Sequence, residues 1–168
     1  MSAVQRPRAE PSRVLPLTAD RLDALMAIEA QAYVFPWTRG NFIDSMVAGY
    51  LARVLVADHD DALLGYFVAM AGVDEMHLLN LTVDPAHQGR GHARTLLQAL
   101  YGLAVQAGAR ALWLEVRESN ARAQALYLAQ GFHRAGRRRG YYPAAMNQRE
   151  DAILMTLDLS QGAPHGLD

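Results

Sequence analysis

The sequence predicts an α+β fold with a mixed, mostly antiparallel sheet of about six or seven strands and about four helices. Three consecutive apolar or alternating segments, 51–57, 63–71 and 76–83, are separated by turn residues and indicate an antiparallel meander. After Gly91 the apolar period becomes helical, and strand-like alternation returns at 111–116. A strand, helix, strand order makes a crossover, so the 76–83 and 111–116 strands are expected to be parallel neighbours.

A strand and two helices precede this meander. Residues 13–17 form a short strand candidate, and Thr18 is placed to cap a helix whose apolar stripe runs to about Ala32. Thr38 is placed to cap a second helix, which Gly49 would end.

The elements after the crossover helix follow the same logic. Gly108 closes that helix, and Asn120 can cap a further helix that runs to Gln130. A strand is expected to start at Phe132, and a last strand covers 151–159.

Length and composition favour one soluble domain. A chain of 168 residues with 51% hydrophobic and 20% charged residues can bury a single core. We expect the folded domain at 13–159, a flexible segment at 1–12 and a tail at 160–168. No apolar run approaches the roughly 20 residues of a membrane span, and the start lacks a signal-like segment, so we expect a cytoplasmic protein without a membrane partner.

Two residue types are missing and exclude several chemistries. Without cysteine there is no disulfide framework, thiolate nucleophile or iron–sulfur site. Without lysine there is no Schiff-base lysine and no P-loop lysine. The six histidines show no metal-ligand spacing, so no metal is expected. A formal net charge of −1 gives no global attraction to nucleic acid.

The segment 83–93, VDPAHQGRGHA, leads from a strand into a strong helix. Glycines let the backbone turn its N–H groups toward one point, and the helix start adds partial positive charge, so the segment can hold a pyrophosphate. Arg90 and Arg94 could add side-chain contacts. The spacing is not that of a dinucleotide-binding loop. From Gly89 and Gly91 alone, a turn without a ligand is the favoured interpretation.

This segment resembles the acetyl-CoA loop of the GCN5-related N-acetyltransferase (GNAT) superfamily. That loop has Gln or Arg, two residues, Gly, one residue, then Gly or Ala, which Gln88, Gly91 and Ala93 match. The resemblance continues through 114–120, 125–127 and 131–132. It implies the GNAT fold, acetyl-CoA as cosubstrate and a set of cofactor-binding residues: Leu81, Thr82, Val83, Gln88, Gly89, Arg90, Gly91, His92, Ala93, Arg94 and Asn120.

More narrowly, residues 13–158 resemble the bacterial ribosomal-protein alanine N-acetyltransferases of the RimI type. The matching features are Phe35-Pro36-Trp37, Asn80, Arg138 or Arg139 with Tyr141-Tyr142-Pro143, and Glu150-Asp151-Ala152-Ile153. The resemblance implies that the N-terminal amine of a ribosomal protein, an alanine, is the acceptor. By analogy Phe35, Pro36, Trp37, Tyr141 and Tyr142 would wall the peptide groove, and Asp74, Glu75, Glu150 or Asp151 would attract a basic peptide. Core and loop anchoring is the competing interpretation of each aromatic residue.

Glu115 is the candidate general base. In the strand 111–116, Leu112, Leu114 and Val116 share one face and Glu115 lies on the other. Apolar surroundings would make this carboxylate a better proton acceptor near neutral pH, so it could take the proton of the acceptor amine directly or through one water. The alternative is an exposed carboxylate paired with Arg117.

The resemblance implies the general-acid role for Tyr127, and a phenol can protonate a departing thiolate of comparable basicity. Taken alone, a helical tyrosine is more often a half-buried packing residue with its hydroxyl at the surface. For Asn120 the resemblance implies a contact to the pantetheine arm, whereas local sequence indicates a helix cap. Family knowledge also implies that the strands 76–83 and 111–116 part at their ends. The pantetheine amide would then pair with the backbone of 81–83, and the N–H of Val83 is a candidate oxyanion donor.

Two other functions remain open from the residues. Arg137-Arg138-Arg139, followed by two tyrosines, could belong to an RNA- or ribosome-binding module, although three charges are few and we expect no direct nucleic-acid binding. A small-molecule amine, such as a polyamine or an aminoglycoside-like compound, is the competing acceptor.

Overall fold

The computed structural model describes residues 10–160, a mixed α+β arrangement of seven strands and four α-helices. The strands are β1 (Ser12–Pro16), β2 (Leu51–Ala57), β3 (Leu63–Ala71), β4 (Glu75–Val83), β5 (Ala111–Arg117), β6 (His133–Pro143) and β7 (Arg149–Asp158). The helices are α1 (Leu22–Ala32), α2 (Arg39–Val47), α3 (His92–Gln106) and α4 (Ala121–Ala129). The expected N-terminal segment and C-terminal tail lie largely outside the described residues.

The strands form one sheet in the order β1-β2-β3-β4-β5-β7-β6. The crossover prediction is confirmed, because β4 and β5 are parallel, with Glu75 opposite Ala111 and Leu78 opposite Leu114. Their register ends at that fourth pair, whereas β5 is paired with antiparallel β7 from Ala111 to Arg117. The end of the β4–β5 ladder is the expected parting of the two strands.

By its internal contacts the chain forms two compact units. The first comprises the described residues up to Phe67 together with 81–97, and the second comprises 68–80 and the residues from 98 onward. The largest fully buried side chains of the first unit are Leu25, Phe42, Leu55, Leu64, Tyr66, Phe67, Leu96 and Leu97. Those of the second are Met76, Leu100, Tyr101 and Leu112. A single domain over 13–159 stays a prediction.

In the first unit, Gly65 allows β3 to approach the end of β4 closely. A Cβ at this position would lie 2.6 Å from the carbonyl oxygen of Thr82 and 3.3 Å from Cα of Val83. Real side chains do not tolerate such contacts, so glycine is required here. The N–H of Asp84 also donates to the carbonyl of Leu64 at 2.8 Å. The strand end that leads into the glycine loop is therefore held by β3.

The local predictions fail at one helix start. Thr18 was expected to cap the first helix, but a turn of 3-10 helix (Ala19–Arg21) intervenes and Arg21 occupies the N-cap position of α1. The hydroxyl of Thr18 instead bonds the carboxylate of Asp20. By contrast, Thr38 caps α2 as predicted, since its Oγ1 accepts from the N–H of Asn41 at 3.1 Å.

None of the helices within residues 10–160 combines the length and the apolar character needed to span a bilayer.

Candidate active site

The loop before α3 has the backbone shape that an anion cradle needs. Gly89 and Gly91 have φ values of +79° and +85°, a region that L side chains rarely adopt. Added Cβ atoms at these positions would meet nothing within 4 Å, so the space beside both glycines is open. A turn of 3-10 helix at Pro85–His87 precedes the loop, and the 15-residue α3 follows it. The geometry suits the approach of a phosphate to backbone N–H groups.

Polar side chains of the same loop are exposed. Gln88, Arg90 and Arg94 are accessible, whereas Ala93 is half-buried. The amide of Gln88 donates to the carbonyl oxygen of Val83 at 3.4 Å. The two guanidinium groups remain candidates for phosphate contacts.

His92 differs from its neighbours because its side chain is buried. The residue is 2% exposed, and neither ring nitrogen has a hydrogen-bond partner among the described residues. Its Nε2 lies 3.8 Å from the carboxylate of Glu10. As a predicted cofactor-binding residue, His92 can therefore offer its backbone at the helix start rather than its imidazole.

The burial of His92 should make the fold acid-sensitive. Burial lowers its pKa because the imidazolium loses hydration, an effect that Glu10 opposes and that His87 and Arg90 reinforce. The unfolded chain takes up this proton near the ordinary value of about 6.5. The unfolded state therefore binds more protons as the pH falls below that value, and the free energy of unfolding decreases. We expect His92→Gln to reduce this decrease between about pH 7 and about pH 5.

Urea unfolding at several pH values measures this effect, with His59→Gln as the control because the His59 side chain is 66% exposed. Equal pH slopes in wild type and His92→Gln would show that His92 does not carry the effect.

The end of β4 is braced by Tyr33, for which the sequence predicts no role. The hydroxyl of Tyr33 lies 3.1 Å from the carbonyl oxygen of Leu81 and 2.7 Å from Oγ1 of Thr82. Burial of this hydroxyl raises the pKa of Tyr33 to about 12, although its ring is partly exposed. Tyr33 thus fixes the segment for which backbone pairing with the pantetheine amide is predicted.

Glu115 lies on the predicted face of β5, and its side chain is only 6% exposed. The three residues of the opposite face, Leu112, Leu114 and Val116, are buried as expected. Oε2 of Glu115 is 2.5 Å from Nε2 of His77. Nε of Arg138 lies 3.3 Å from Oε1. The structure therefore places a desolvated carboxylate between an imidazole and a guanidinium.

The alternative interpretation of Glu115 as an exposed carboxylate is wrong, because its side chain is 6% exposed. The guanidinium of Arg117 bonds Glu150 at 3.2 Å and the carbonyl of Pro143 at 2.9 Å. Residues two apart on a strand share a face, so Arg117 lies on the same face of β5 as Glu115, but its guanidinium contacts the carboxylate of Glu150. The partners of Glu115 are instead the buried imidazole of His77 and the guanidinium of Arg138, whose side chain is 50% exposed.

In the second unit, Asn120 is the N-cap of α4 and Tyr127 lies within that helix. Tyr127 is 7% exposed, and its ring packs against Phe132 with centroids 5.5 Å apart. Oδ1 of Asn120 accepts from the N–H of Ala123 at 3.1 Å, so the helix-cap interpretation of this residue is correct. A pantetheine contact of Asn120 stays a prediction, as does the acid role of Tyr127.

The aromatic segment after α1 divides into an anchored and an exposed part. Trp37 is anchored, because its backbone N–H donates to Oε1 of Glu29 at 3.0 Å and its ring centroid lies 5.1 Å from that of Phe42. Glu29 is 1% exposed and also accepts from the hydroxyl of Tyr66 at 2.5 Å. Phe35 is 42% exposed. Of the predicted groove residues here, Trp37 fits loop anchoring and Phe35 is available to a ligand.

The two tyrosines predicted to line the peptide groove also differ in exposure. Tyr141 is 43% exposed, while Tyr142 is half-buried under the guanidinium of Arg117, 4.5 Å from its ring centroid. Arg138 lies 5.5 Å from the ring centroid of Tyr141. Tyr141 is therefore the accessible member of the pair.

The acidic residues near the end of the chain are engaged internally. Hydrogen bonds from Ser119 lower the pKa of Glu150, with a smaller contribution from Arg117. The N–H of Gly140 and the guanidinium of Arg137 lower the pKa of Asp151. Asp74 and Glu75 are exposed, so they remain the better candidates for attracting a basic peptide.

The same contacts weigh against an RNA-binding patch. Arg137 pairs with Glu118 at 2.7 Å and with Asp151 at 3.0 Å, and Arg138 pairs with Glu115. Two of the three charges in the triplet are thus matched by carboxylates, which reduces their attraction for phosphate.

Sequence reasoning missed His77, Glu29 and Tyr33. Each acts through a contact with a distant part of the chain, such as the His77–Glu115 pair across 38 positions. Strand register could have indicated His77, because it lies opposite Trp113, two residues before Glu115. No local signal marks Glu29 or Tyr33.

A family model described as "Acetyltransferase (GNAT) family" matches residues 22–132. The chain is 42% identical over 144 residues to the [ribosomal protein bS18]-alanine N-acetyltransferase of Salmonella typhimurium, which covers 86% of this chain and 95% of that protein. The family model covers more than half of this chain, and the sequence identity to the Salmonella enzyme extends over most of both proteins. The likeness therefore goes beyond a shared fold.

Solved structures of N-acetyltransferases share the fold of this chain. The ribosomal-protein-S18-alanine N-acetyltransferase of Escherichia coli superposes with a TM-score of 0.81 at 37% identity, over 94% of this chain and 99% of that one. A PaiA N-acetyltransferase from Thermoplasma acidophilum, solved in complex with coenzyme A, shares the fold at a TM-score of 0.72 and 14% identity, over 88% and 99% of the two chains.

Proposed function

Because the chain belongs to the GNAT acetyltransferase family, we propose that it transfers the acetyl group of acetyl-CoA to the N-terminal alanine of ribosomal protein bS18. The chain is an N-acetyltransferase. The observation that carries the acceptor is the 42% identity to a bS18-alanine N-acetyltransferase over 95% of that protein's length. The E. coli structure of the same activity matches over 99% of its length.

The glycine loop fits the diphosphate of the cosubstrate. Gly89 and Gly91 leave open space where any Cβ would stand, and the start of a 15-residue helix follows directly. Backbone N–H groups and exposed Arg90 and Arg94 would neutralise the phosphates. Acetyl-CoA supplies the acetyl group as a thioester, which an amine can attack without a covalent enzyme intermediate.

In this proposal Glu115 accepts one proton from the ammonium form of the acceptor and later releases it to solvent. The freed nitrogen then forms the C–N bond as the C–S bond breaks. Tyr127 donates its phenolic proton to the leaving thiolate. It regains a proton from the nitrogen, which gives up its second proton as the amide forms. An α-amine needs only a modest base, because its ordinary pKa of about 8 lies below that of a lysine side chain.

The accessible aromatic residues Phe35 and Tyr141 would contact the first residues of the acceptor peptide. Both are more than 40% exposed next to anchored neighbours, Trp37 and Tyr142. An exposed ring on a fixed backbone gives contact area at little conformational cost.

The acceptor class is tested by comparing kcat/KM for three amines. We expect an alanine-initiated peptide of the bS18 N-terminus to react well, and the same peptide with a blocked α-amine not to react. Spermidine represents the small-molecule alternative. A higher kcat/KM for spermidine than for the peptide would overturn the proposed acceptor and leave the acetyltransferase activity standing.

Tyr127→Phe tests the acid role. We expect kcat to fall by about 100-fold, the lower end of the range for general acid–base catalysis, with little change in the Kd for acetyl-CoA. The fall in kcat should be largest for the acetyl thioester whose departing thiolate is most basic, because that thiolate depends most on protonation. Turnover with each variant is measured beside acetyl-CoA titration.

Tyr101→Phe is the matched control, because Tyr101 is 1% exposed and its hydroxyl has no hydrogen-bond partner among the described residues. An equal loss in both variants would mean that the hydroxyl of Tyr127 has no special role.

A further inference from the structure

His77 contacts the proposed base, and no step described above uses it. The residue lies on β4 opposite Trp113 of β5. The two rings are stacked, with centroids 3.8 Å apart and an angle of 11° between their planes. His77 is 9% exposed. The stacking on Trp113 of β5 therefore fixes the orientation of the His77 ring, which has little contact with solvent.

The contacts of Glu115 make its two oxygens different. Oε2 lies 2.5 Å from Nε2 of His77, a short hydrogen bond. Oε1 is buried and accepts no hydrogen bond from the described residues. Arg138 has its Nε 3.3 Å from Oε1, close enough for attraction but not aligned as a donor. One oxygen is thus occupied, and the other lacks an aligned donor.

We propose that His77 is a positioning residue for the general base. Its Nε2–H donates to Oε2 of Glu115, which orients the carboxylate and leaves Oε1 to accept the proton of the acceptor amine. This inference rests on the proposed role of Glu115. The bond from Nε2 also fixes the tautomer when the imidazole is neutral, because the proton must then be on Nε2.

The physical reason lies in the burial of the pair. A buried carboxylate that loses a hydrogen-bond donor takes up a proton more readily, since nothing replaces the lost water. Two groups of β6, Arg138 and Tyr142, also face Glu115, but neither can replace His77 as a hydrogen-bond donor to the carboxylate. Arg138 is not aligned, and the hydroxyl of Tyr142 remains protonated because burial, followed by Glu115, raises the pKa of Tyr142.

Two substitutions separate the donor of His77 from its stacking. His77→Phe keeps an aromatic ring over Trp113 and removes the donor, whereas His77→Gln keeps an N–H donor and removes the ring. We expect kcat to fall about tenfold in His77→Phe, the lower end for loss of a hydrogen bond to a charged group. The acid limb of the kcat/KM profile should move to higher pH, and KM for acetyl-CoA should not change. His77→Gln should keep the wild-type acid limb.

A wild-type pH profile in His77→Phe overturns the proposal, and so does an equal shift in His77→Gln. A double-mutant cycle of His77→Phe with Glu115→Gln separates this inference from the proposed function. If Glu115→Gln is itself fully active, the role of Glu115 has failed. If Glu115→Gln is impaired, His77→Phe should add no further loss in that background.

One measurement needs no folded His77 variant. In the wild-type protein with labelled histidine, NMR should show a protonated, exchange-protected Nε2 of His77, whose signal shifts in Glu115→Gln. An unprotonated Nε2 at neutral pH would overturn the proposal.

Discussion

Glu115→Gln should lower kcat by about 100-fold or more near neutral pH, the usual size of a general-base contribution. Glutamine keeps the shape and the hydrogen-bonding reach of the side chain but cannot accept the proton of the acceptor ammonium. The loss should narrow above about pH 8, where the α-amine is already deprotonated in solution. Steady-state rates over this pH range, with saturating acetyl-CoA, measure both effects.

Glu118→Gln is the matched control. Glu118 follows the same strand, but its side chain is 49% exposed and pairs with Arg137 at the surface. It should keep wild-type kcat, and both variants should retain the wild-type thermal melt. A pH-independent loss in Glu115→Gln would indicate a role in shape rather than in proton transfer.

Gly91→Arg should weaken acetyl-CoA binding by at least about 100-fold, the result of losing two hydrogen bonds to phosphate at roughly 1.5 kcal/mol each. Gly91 has a φ of +85°, and a side chain added here enters the open space beside the loop. The same substitution also strains the backbone by about 1 kcal/mol. Calorimetric titration with acetyl-CoA measures the binding loss.

Gly108→Arg separates the strain from the blocked space. Gly108 follows the other end of α3, has a φ of +79° and likewise has no atom within 4 Å of an added Cβ. Gly108→Arg should lower the free energy of unfolding by about as much as Gly91→Arg does, and it should leave the Kd for acetyl-CoA unchanged. If Gly91→Arg also keeps the wild-type Kd, the loop at 88–94 does not hold the cosubstrate.

The sequence predicted the elements well because their signals are local. The start of α2 at Arg39 follows from the cap at Thr38, and the parallel pairing of β4 with β5 follows from the intervening helix. The face of Glu115 follows from strand alternation. The failed cap at Thr18 shows the limit of local rules, because a competing bond to Asp20 starts a 3-10 turn instead.

The surroundings of the site could not be predicted, because they depend on which strands become neighbours. Nothing near His77 in the sequence shows that it faces Glu115, and nothing near Glu29 shows that it anchors Trp37 and meets Tyr66. Whether an aromatic residue serves as an anchor or an exposed surface likewise depends on burial. Phe35 and Trp37 look equivalent in sequence but differ in the fold.

In the proposed function, this chain acetylates an N-terminal amine. The most direct measurement uses a peptide that begins with alanine and carries one internal lysine, incubated with the protein and acetyl-CoA and then sequenced by tandem mass spectrometry. We expect one acetyl group, on the nitrogen of the first residue. An acetyl group on the lysine side chain alone, or no enzyme-dependent acetylation of the peptide, would contradict it.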